Sequence, residues 1–321
     1  MDRRGFFKTA AIGAISYAAL KPTEAKAASD PRREQGSIID LTLCDGCANL
    51  PTPACVGACR DKNANRFAAP DPKYLTDYWP QKRHEDWSNK RDVTSRLTPY
   101  NWTYVEKIEA DGQTVFLPRR CMHCDDPACQ KLCPFGVIGK SKEGAVSIDV
   151  DFCMGGSKCR DVCPWNIPQR QAGVGLYTKI APKFMGGGAM YKCDMCADLL
   201  AGDQKPACER ACPKNAIVFG EKAAMKAEAF RRAEKIGGYV YGASEGGGTS
   251  TFYVSKVAFE AIDKAIAAKK EGDKGFGRPQ MPVGVESKLK GASALFAAAV
   301  IAPIAAAASA AISVYKGDKR D

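Results

Sequence analysis

The chain has 321 residues, 47 Lys+Arg against 36 Asp+Glu for a formal net charge of +11, and 15 Cys against 2 His. A hydrophobic fraction of 45% with 26% charged residues belongs to a folded chain, not a disordered one. The odd cysteine count argues against a closed set of disulfides, and two histidines with no nucleophile constellation make a hydrolase a weak reading. The charge by itself would suit nucleic acid or an anionic membrane.

Residues 1–27 open with Met1-Asp2-Arg3-Arg4-Gly5-Phe6-Phe7-Lys8, continue through a mildly apolar stretch from Thr9 to Leu20, and end on small residues at Ala25-Lys26-Ala27. A basic start, a short apolar run and an A-x-A-like site read as an export signal. The arginine pair followed by Phe-Phe-Lys resembles a twin-arginine signal, which is a receptor-read address. An ordinary secretory signal or an N-terminal anchor is the alternative. The mature body then begins near Ala28.

Ser37 to Leu43 reads as a short strand feeding the first cysteine group, Cys44, Cys47, Cys55 and Cys59. Residues 60–118 form an insertion rich in charge, Pro, Trp and Tyr, with no metal or catalytic pattern. Its Trp79, Trp87 and Trp102, with Pro80 and Pro99, suggest an arm lying on a partner, or else a solvated loop. Thr114 to Leu117 and Ala145 to Val150 look like strands entering the second and third groups. The second group is Cys121, Cys124, Cys129 and Cys133; the third is Cys153, Cys159 and Cys163; the fourth is Cys193, Cys196, Cys208 and Cys212. Ala216 to Phe219 is a strand leaving the fourth group, and Glu221 to Ile236 is a charged amphipathic helix. The run Gly246-Gly247-Gly248 lacks the Lys-Ser/Thr that a phosphate loop needs after it. Phe259 to Lys270 reads as another helix, and Gly/Pro-rich sequence from Gly272 to Val285 leads on to a linker over 281–290. Residues 291–315 carry no charge and are long enough for the roughly 20 apolar residues of a membrane span. They are Ala-rich, with Ser293, Ser309 and Ser313, which suits an anchor packed on another helix; a buried soluble helix is the alternative. The basic tail 316–321 would stay inside.

Each cysteine group begins as a tight loop and closes on C-x3-C, followed by Pro in three groups. This is the bacterial ferredoxin run, stretched by insertions in the first, second and fourth groups. C-x2-C lets one loop reach two corners of a cubane cluster. The helix begun by C-x3-C turns its last Cys toward a neighbouring cluster, so cysteines are exchanged within a pair of runs. Zinc ribbons use paired C-x2-C without the C-x3-C-P ending, and disulfide scaffolds are usually much shorter. In the third group a regular run would place a fourth Cys where Gly156 stands. Three thiolates imply a 3Fe–4S cluster there, unless Ser157 or water holds a fourth iron. His123, between Cys121 and Cys124, is expected to hydrogen-bond a cluster sulfur or make a surface contact instead of ligating iron; His84 lies in a charged stretch and is expected to be inert.

Four such groups in one chain resemble the electron-transfer subunits of formate dehydrogenases, of dimethyl sulfoxide and nitrate reductases, and of uptake nickel–iron hydrogenases. The chain is most similar to the exported, membrane-anchored iron–sulfur subunit of Hyb-type hydrogenases, through Cys121-Met122-His123-Cys124, the wide Cys196 to Cys208 spacing and Glu245-Gly246-Gly247-Gly248-Thr249. It departs from that likeness at Gly156. The resemblance implies an α+β fold of two ferredoxin modules over 28–280, the second and third groups forming one and the first and fourth the other, plus a C-terminal transmembrane helix. It implies three 4Fe–4S clusters, held by Cys44, Cys47, Cys55 and Cys212, by Cys193, Cys196, Cys208 and Cys59, and by Cys121, Cys124, Cys129 and Cys163. A 3Fe–4S cluster would use Cys153, Cys159 and Cys133, at the membrane end of the wire. It implies no catalytic residue. The expected role is relay of electrons on the periplasmic face between the small and large subunits of a nickel–iron hydrogenase and a multispanning quinone-binding subunit. The same wire in a molybdopterin oxidoreductase or a sulfur- or nitrite-linked complex is the alternative, and a redox-silent scaffold a third.

The charge then reads differently. Without residues 1–27 the chain holds 42 basic and 34 acidic residues, or +8. Four oxidised clusters with their thiolates carry about −2 each, so the loaded protein is near neutral and nucleic acid is not an expected partner.

Overall fold

The computed structural model describes residues 34–75, 85–272, 275–287 and 289. The export signal, Trp79, His84, the apolar segment 291–315 and the basic tail lie outside the described residues. Among the described residues no helix is long and apolar enough to cross a membrane.

A four-stranded sheet frames one end of the molecule. Its inner strand β1 (Gln35–Asp40) is the first among the described residues. The cysteine-group helices follow it: α1 (Ala54–Asn63), α2 (Ala128–Lys131) and α3 (Lys158–Asp161). Between them lie the hairpin β2 (Tyr104–Ala110) and β3 (Gln113–Arg119), and the short pair β4 (Ile138–Lys140) and β5 (Val146–Ile148). The second half holds β6 (Gln169–Gln171), β7 (Ala189–Tyr191), α4 (Ala197–Ala201), α5 (Ala207–Arg210), β8 (Ile217–Glu221) and α6 (Lys222–Ile236). It closes with β9 (Tyr239–Tyr241), β10 (Thr251–Ser255) and α7 (Phe259–Gly272).

The sheet order is β8-β1-β10-β9. β1 runs parallel to β10 and antiparallel to β8, with Ile38 opposite both Phe252 and Val218. Side chains alternate faces along a strand. Ile38 therefore packs with Ala229 and Ala233 of α6, while Ile39 enters the large core that surrounds the cysteines. Ala229 and Ala233 are one turn apart, and their small side chains let the helix lie close on the sheet. Glu221 caps α6 by accepting the N–H groups of Ala223 and Ala224, and Gly237 ends it at φ +60°.

In the hairpin, Tyr104, Glu106, Ile108 and Ala110 face inward and their neighbours point outward. Asp111 and Gly112 turn it at φ +49° and +71°, the pair of positive angles that a type I′ turn requires. α7 covers β2 with Ile262 and Ile266.

The described part of the insertion is folded onto this chain. Trp87 and Trp102 are buried. Trp87 N–H donates to Gln171 Oε1 at 3.0 Å, Ala172 N–H donates to Glu85 O at 2.8 Å, and Trp102 meets the rings of Phe67 and Tyr191. The expected partner-binding arm is corrected for these residues. A Trp- and Pro-rich segment has the same composition whether another chain covers it or, as here, β6, β7 and their neighbours do.

Candidate iron–sulfur centres

Three of the four C-x3-C helices begin at the residue after a proline. Pro53, Pro127 and Pro206 stand extended immediately before α1, α2 and α5, while Ser157 precedes α3 at φ +53°. Each helix carries a cysteine as its second residue, Cys55, Cys129, Cys159 or Cys208, and a further cysteine stands four positions on, inside α1 and two residues past the end of the other three helices. One thiol thus serves the hollow beside its own loop and the other the next hollow. Helix pairing decides which hollow that is: α1 packs on α5 and α2 on α3. The first group is therefore joined to the fourth, and the second to the third.

Cys44, Cys47, Cys55 and Cys212 line one hollow. Cys59, Cys193, Cys196 and Cys208 line another. Cys124 feels the electrostatic influence of Cys121, Cys163 and Cys129, and Cys153 and Cys159 that of Cys133. Neighbouring sets lie within electrostatic reach of one another in order. Cys55 neighbours Cys208, Cys193 neighbours Cys121, and Cys159 neighbours Cys129 and Cys163. The four sets form a row.

The loops are shaped by their backbone. Gly46 sits at φ +68°, where a Cβ would lie 2.2 Å from the Phe116 ring. Backbone N–H groups turn toward sulfur: Met195 N–H donates to Cys193 Sγ at 3.4 Å, and Gly155 and Met190 N–H groups approach Cys153 Sγ at 3.5 and 3.4 Å. Burial pushes the Cys44 thiol up to about 11 and Cys193 and Cys163 up to about 12. Thiols this reluctant to ionise become thiolates only beside compensating positive charge, such as bound iron.

Two buried cations fit that requirement. Arg120 lines the second hollow against Cys193 and Cys208, donates from Nη2 to Ser37 Oγ and stacks on Phe219 at 5.0 Å. Its buried Nε and Nη1 have no hydrogen-bond partner among the described residues. Lys192 is buried between Cys121, Cys129 and Cys193, with Nζ donating to the carbonyls of Val146 and Cys193. Buried cations are costly without counter-charge, and an anionic cluster supplies it. A single zinc ion would need thiolates converging at about 2.3 Å, yet among the described residues no three His, Cys, Asp or Glu side chains converge on one ion. Thiols ringed around a hollow fit a multi-iron cluster. Sequence reasoning missed Arg120 and Lys192; adjacency to Cys121 and Cys193 was the one available signal.

Around the third group, Arg160 Nη1 and Nη2 grip Glu85 at 2.8 Å each, and Arg170 joins them at 2.5 Å while also donating to Gly155 O. Burial alone would raise the Glu85 carboxyl, but the two guanidinium groups outweigh it and hold it below its ordinary range. Gly156 stands open: a Cβ there would approach nothing closer than Met154, at 3.7 Å. The Glu245–Thr249 stretch is a strap behind the second group. Gly248 O accepts from Asp125 N–H at 2.9 Å, and Cys124 bridges Thr249. His123 is buried without exposed surface, 3.6 Å from Cys193 Sγ.

Hollows ringed by cysteine thiols on exchanged C-x3-C helices define a ferredoxin-like iron–sulfur protein. Two family models described as 4Fe-4S dicluster domain match, over residues 112–222 and 43–137. The second match runs along the sequence through the first and second groups, which the fold assigns to different modules. The chain is 30% identical over 306 residues to the hydrogenase-2 operon protein HybA of Escherichia coli O157:H7, covering 82% of this chain and 83% of that one. It is 31% identical over 243 residues to the formate dehydrogenase-O iron-sulfur subunit of Escherichia coli K12, covering 72% and 70%. A formate dehydrogenase iron-sulfur subunit of Haemophilus influenzae matches at 31%, covering 72% and 68%. The chain belongs to the Hyb-type family of four-cluster, ferredoxin-like iron–sulfur subunits, which carry electrons in oxidoreductase complexes and have no catalytic centre of their own.

Proposed function

We propose that the chain relays electrons through three 4Fe–4S clusters and one 3Fe–4S cluster, between a nickel–iron hydrogenase and a membrane subunit that handles quinone. The observation that carries this reading is the succession of four thiol sets, each within electrostatic reach of the next. Bound in those hollows, iron–sulfur clusters supply one-electron exchange without making or breaking a substrate bond. The chain does the rest. Fifteen cysteines bind, Arg120 and Lys192 offset anionic charge at the middle of the row, and buried Trp102, Tyr191 and Trp165 exclude water. We place the body on the periplasmic side, exported by the twin-arginine signal of residues 1–27 and held by the anchor 291–315. HybA supports the hydrogenase partner. The formate dehydrogenase relatives favour a second reading, the same relay serving a molybdopterin enzyme.

Purification of the chain with its native complex tests both. Nickel in the copurifying large subunit supports the first reading, and molybdenum or tungsten the second. Clusters that cannot be reversibly reduced would leave only a structural scaffold.

A further inference from the structure

The second group's loop carries His123 across the boundary between the two modules. Its ring is fully buried. Val146 N–H donates to Nδ1 at 2.9 Å. A ring nitrogen that accepts a hydrogen bond carries a lone pair, so the ring is neutral and its one proton sits on Nε2. That nitrogen lies 3.6 Å from Cys193 Sγ. The bond thus fixes both tautomer and aim: Val146 of β5 turns one nitrogen into an acceptor, leaving the other to donate. Cys193 belongs to the neighbouring set, with Cys59, Cys196 and Cys208. His123 is held in place by the residue that follows the strap, since Ser250 N–H donates to its carbonyl at 2.9 Å.

On the relay reading above, we propose that His123 is a positioning residue for its neighbour's cluster. It donates Nε2–H to the Cys193 thiolate and raises the potential of the cluster held by Cys59, Cys193, Cys196 and Cys208 above what its four thiolates alone would set. A hydrogen bond to a ligating sulfur withdraws electron density and favours the reduced, more negative state. The ring also joins the loop of one cluster to a ligand of the next, so the contact lies where electrons cross between modules.

Two measurements test this on the full-length protein. The first is pulsed EPR of the wild-type chain labelled with 15N-histidine, for which there are only two histidines to consider. One cluster signal should show a nitrogen coupling weaker than that of a ligated imidazole, together with an exchangeable proton. Both should persist in His84→Gln and vanish in His123→Phe. The second is a redox titration of His123→Phe and His123→Gln. One midpoint should fall in the Phe variant, the same one that moves in Cys196→Ser, and recover in part with Gln, which keeps a donor. Four loaded clusters with unshifted midpoints, or wild-type signals without nitrogen coupling, overturn the inference alone. A wild-type chain without reversibly reducible clusters overturns the relay reading as well.

Discussion

On the proposed reading Gly156 leaves one cluster with three irons, and its surroundings say why a substitution there is informative. It has room for a Cβ and no left-handed φ to forbid one. Its neighbour Gly155 differs: at φ +67° its Cβ would strike Gly187 and Gly188 within 2.7 Å. Gly156→Cys should therefore fold, complete the third group and convert the three-iron cluster to 4Fe–4S at lower potential. EPR of the oxidised protein checks it: the three-iron signal should disappear, and a spectrum identical to the wild type would refute the register assigned to that group. The cysteines and this gap were legible in the sequence, because ligand spacing is local. Arg120 and Lys192 were not. A cation next to a cysteine has the same sequence signature whether it faces solvent or is buried between two thiol sets, and only the packing of β1, β5 and the fourth group distinguishes them.

At the scale of elements, the strap is the joint between the sheet and the second group. Gly248, at φ +96°, allows Asp125 to come so close that a Cβ would lie 2.6 Å from its Oδ2. Gly248→Ala should cost about 1–3 kcal/mol through backbone strain alone, and should loosen the loop that carries Cys121, His123 and Cys124. Thermal melting with iron analysis tests this, with Gly139→Ala as a control: Gly139 has open space around it and no left-handed φ. Equal melting temperatures and iron contents in the two variants would refute the strap's role. The sequence marked Glu245–Thr249 as distinctive but not as a support, since its contacts span more than a hundred residues. The strands at 35–40, 146–148 and 217–221 and the helices at 222–236 and 259–272 were close to the sequence reading. β2 was missed, because its alternating pattern sits inside a segment whose charge and aromatic content look like loop.

For the whole molecule, clusters and core are one object. The largest apolar cluster includes Cys55, Cys121, Cys153, Cys159, Cys193 and Cys208 alongside Trp102, Trp165 and Tyr253. Removing iron leaves hollows where a core should be, and leaves Arg120 and Lys192 buried without anionic partners. Chelation under reducing conditions should abolish the cooperative melting transition and reduce near-UV circular dichroism. An apoprotein that melts like the loaded chain would contradict this coupling.

The position of β1 at the centre of its sheet has a bearing on synthesis. β1 must wait for β8 and β10, translated some 180 to 210 residues later, before either of its edges is paired. On the proposed ligand sets Cys44, Cys47 and Cys55 must wait likewise for Cys212, while the second and third groups complete each other within 43 residues, from Cys121 to Cys163. On the ribosome, then, the middle of the chain can finish its pair of sites while the N-terminal cysteines are still without their last ligand. The order of genetic reading and the order of the wire are different, and the row closes from the end held by the second and third groups toward the end held by the first and fourth.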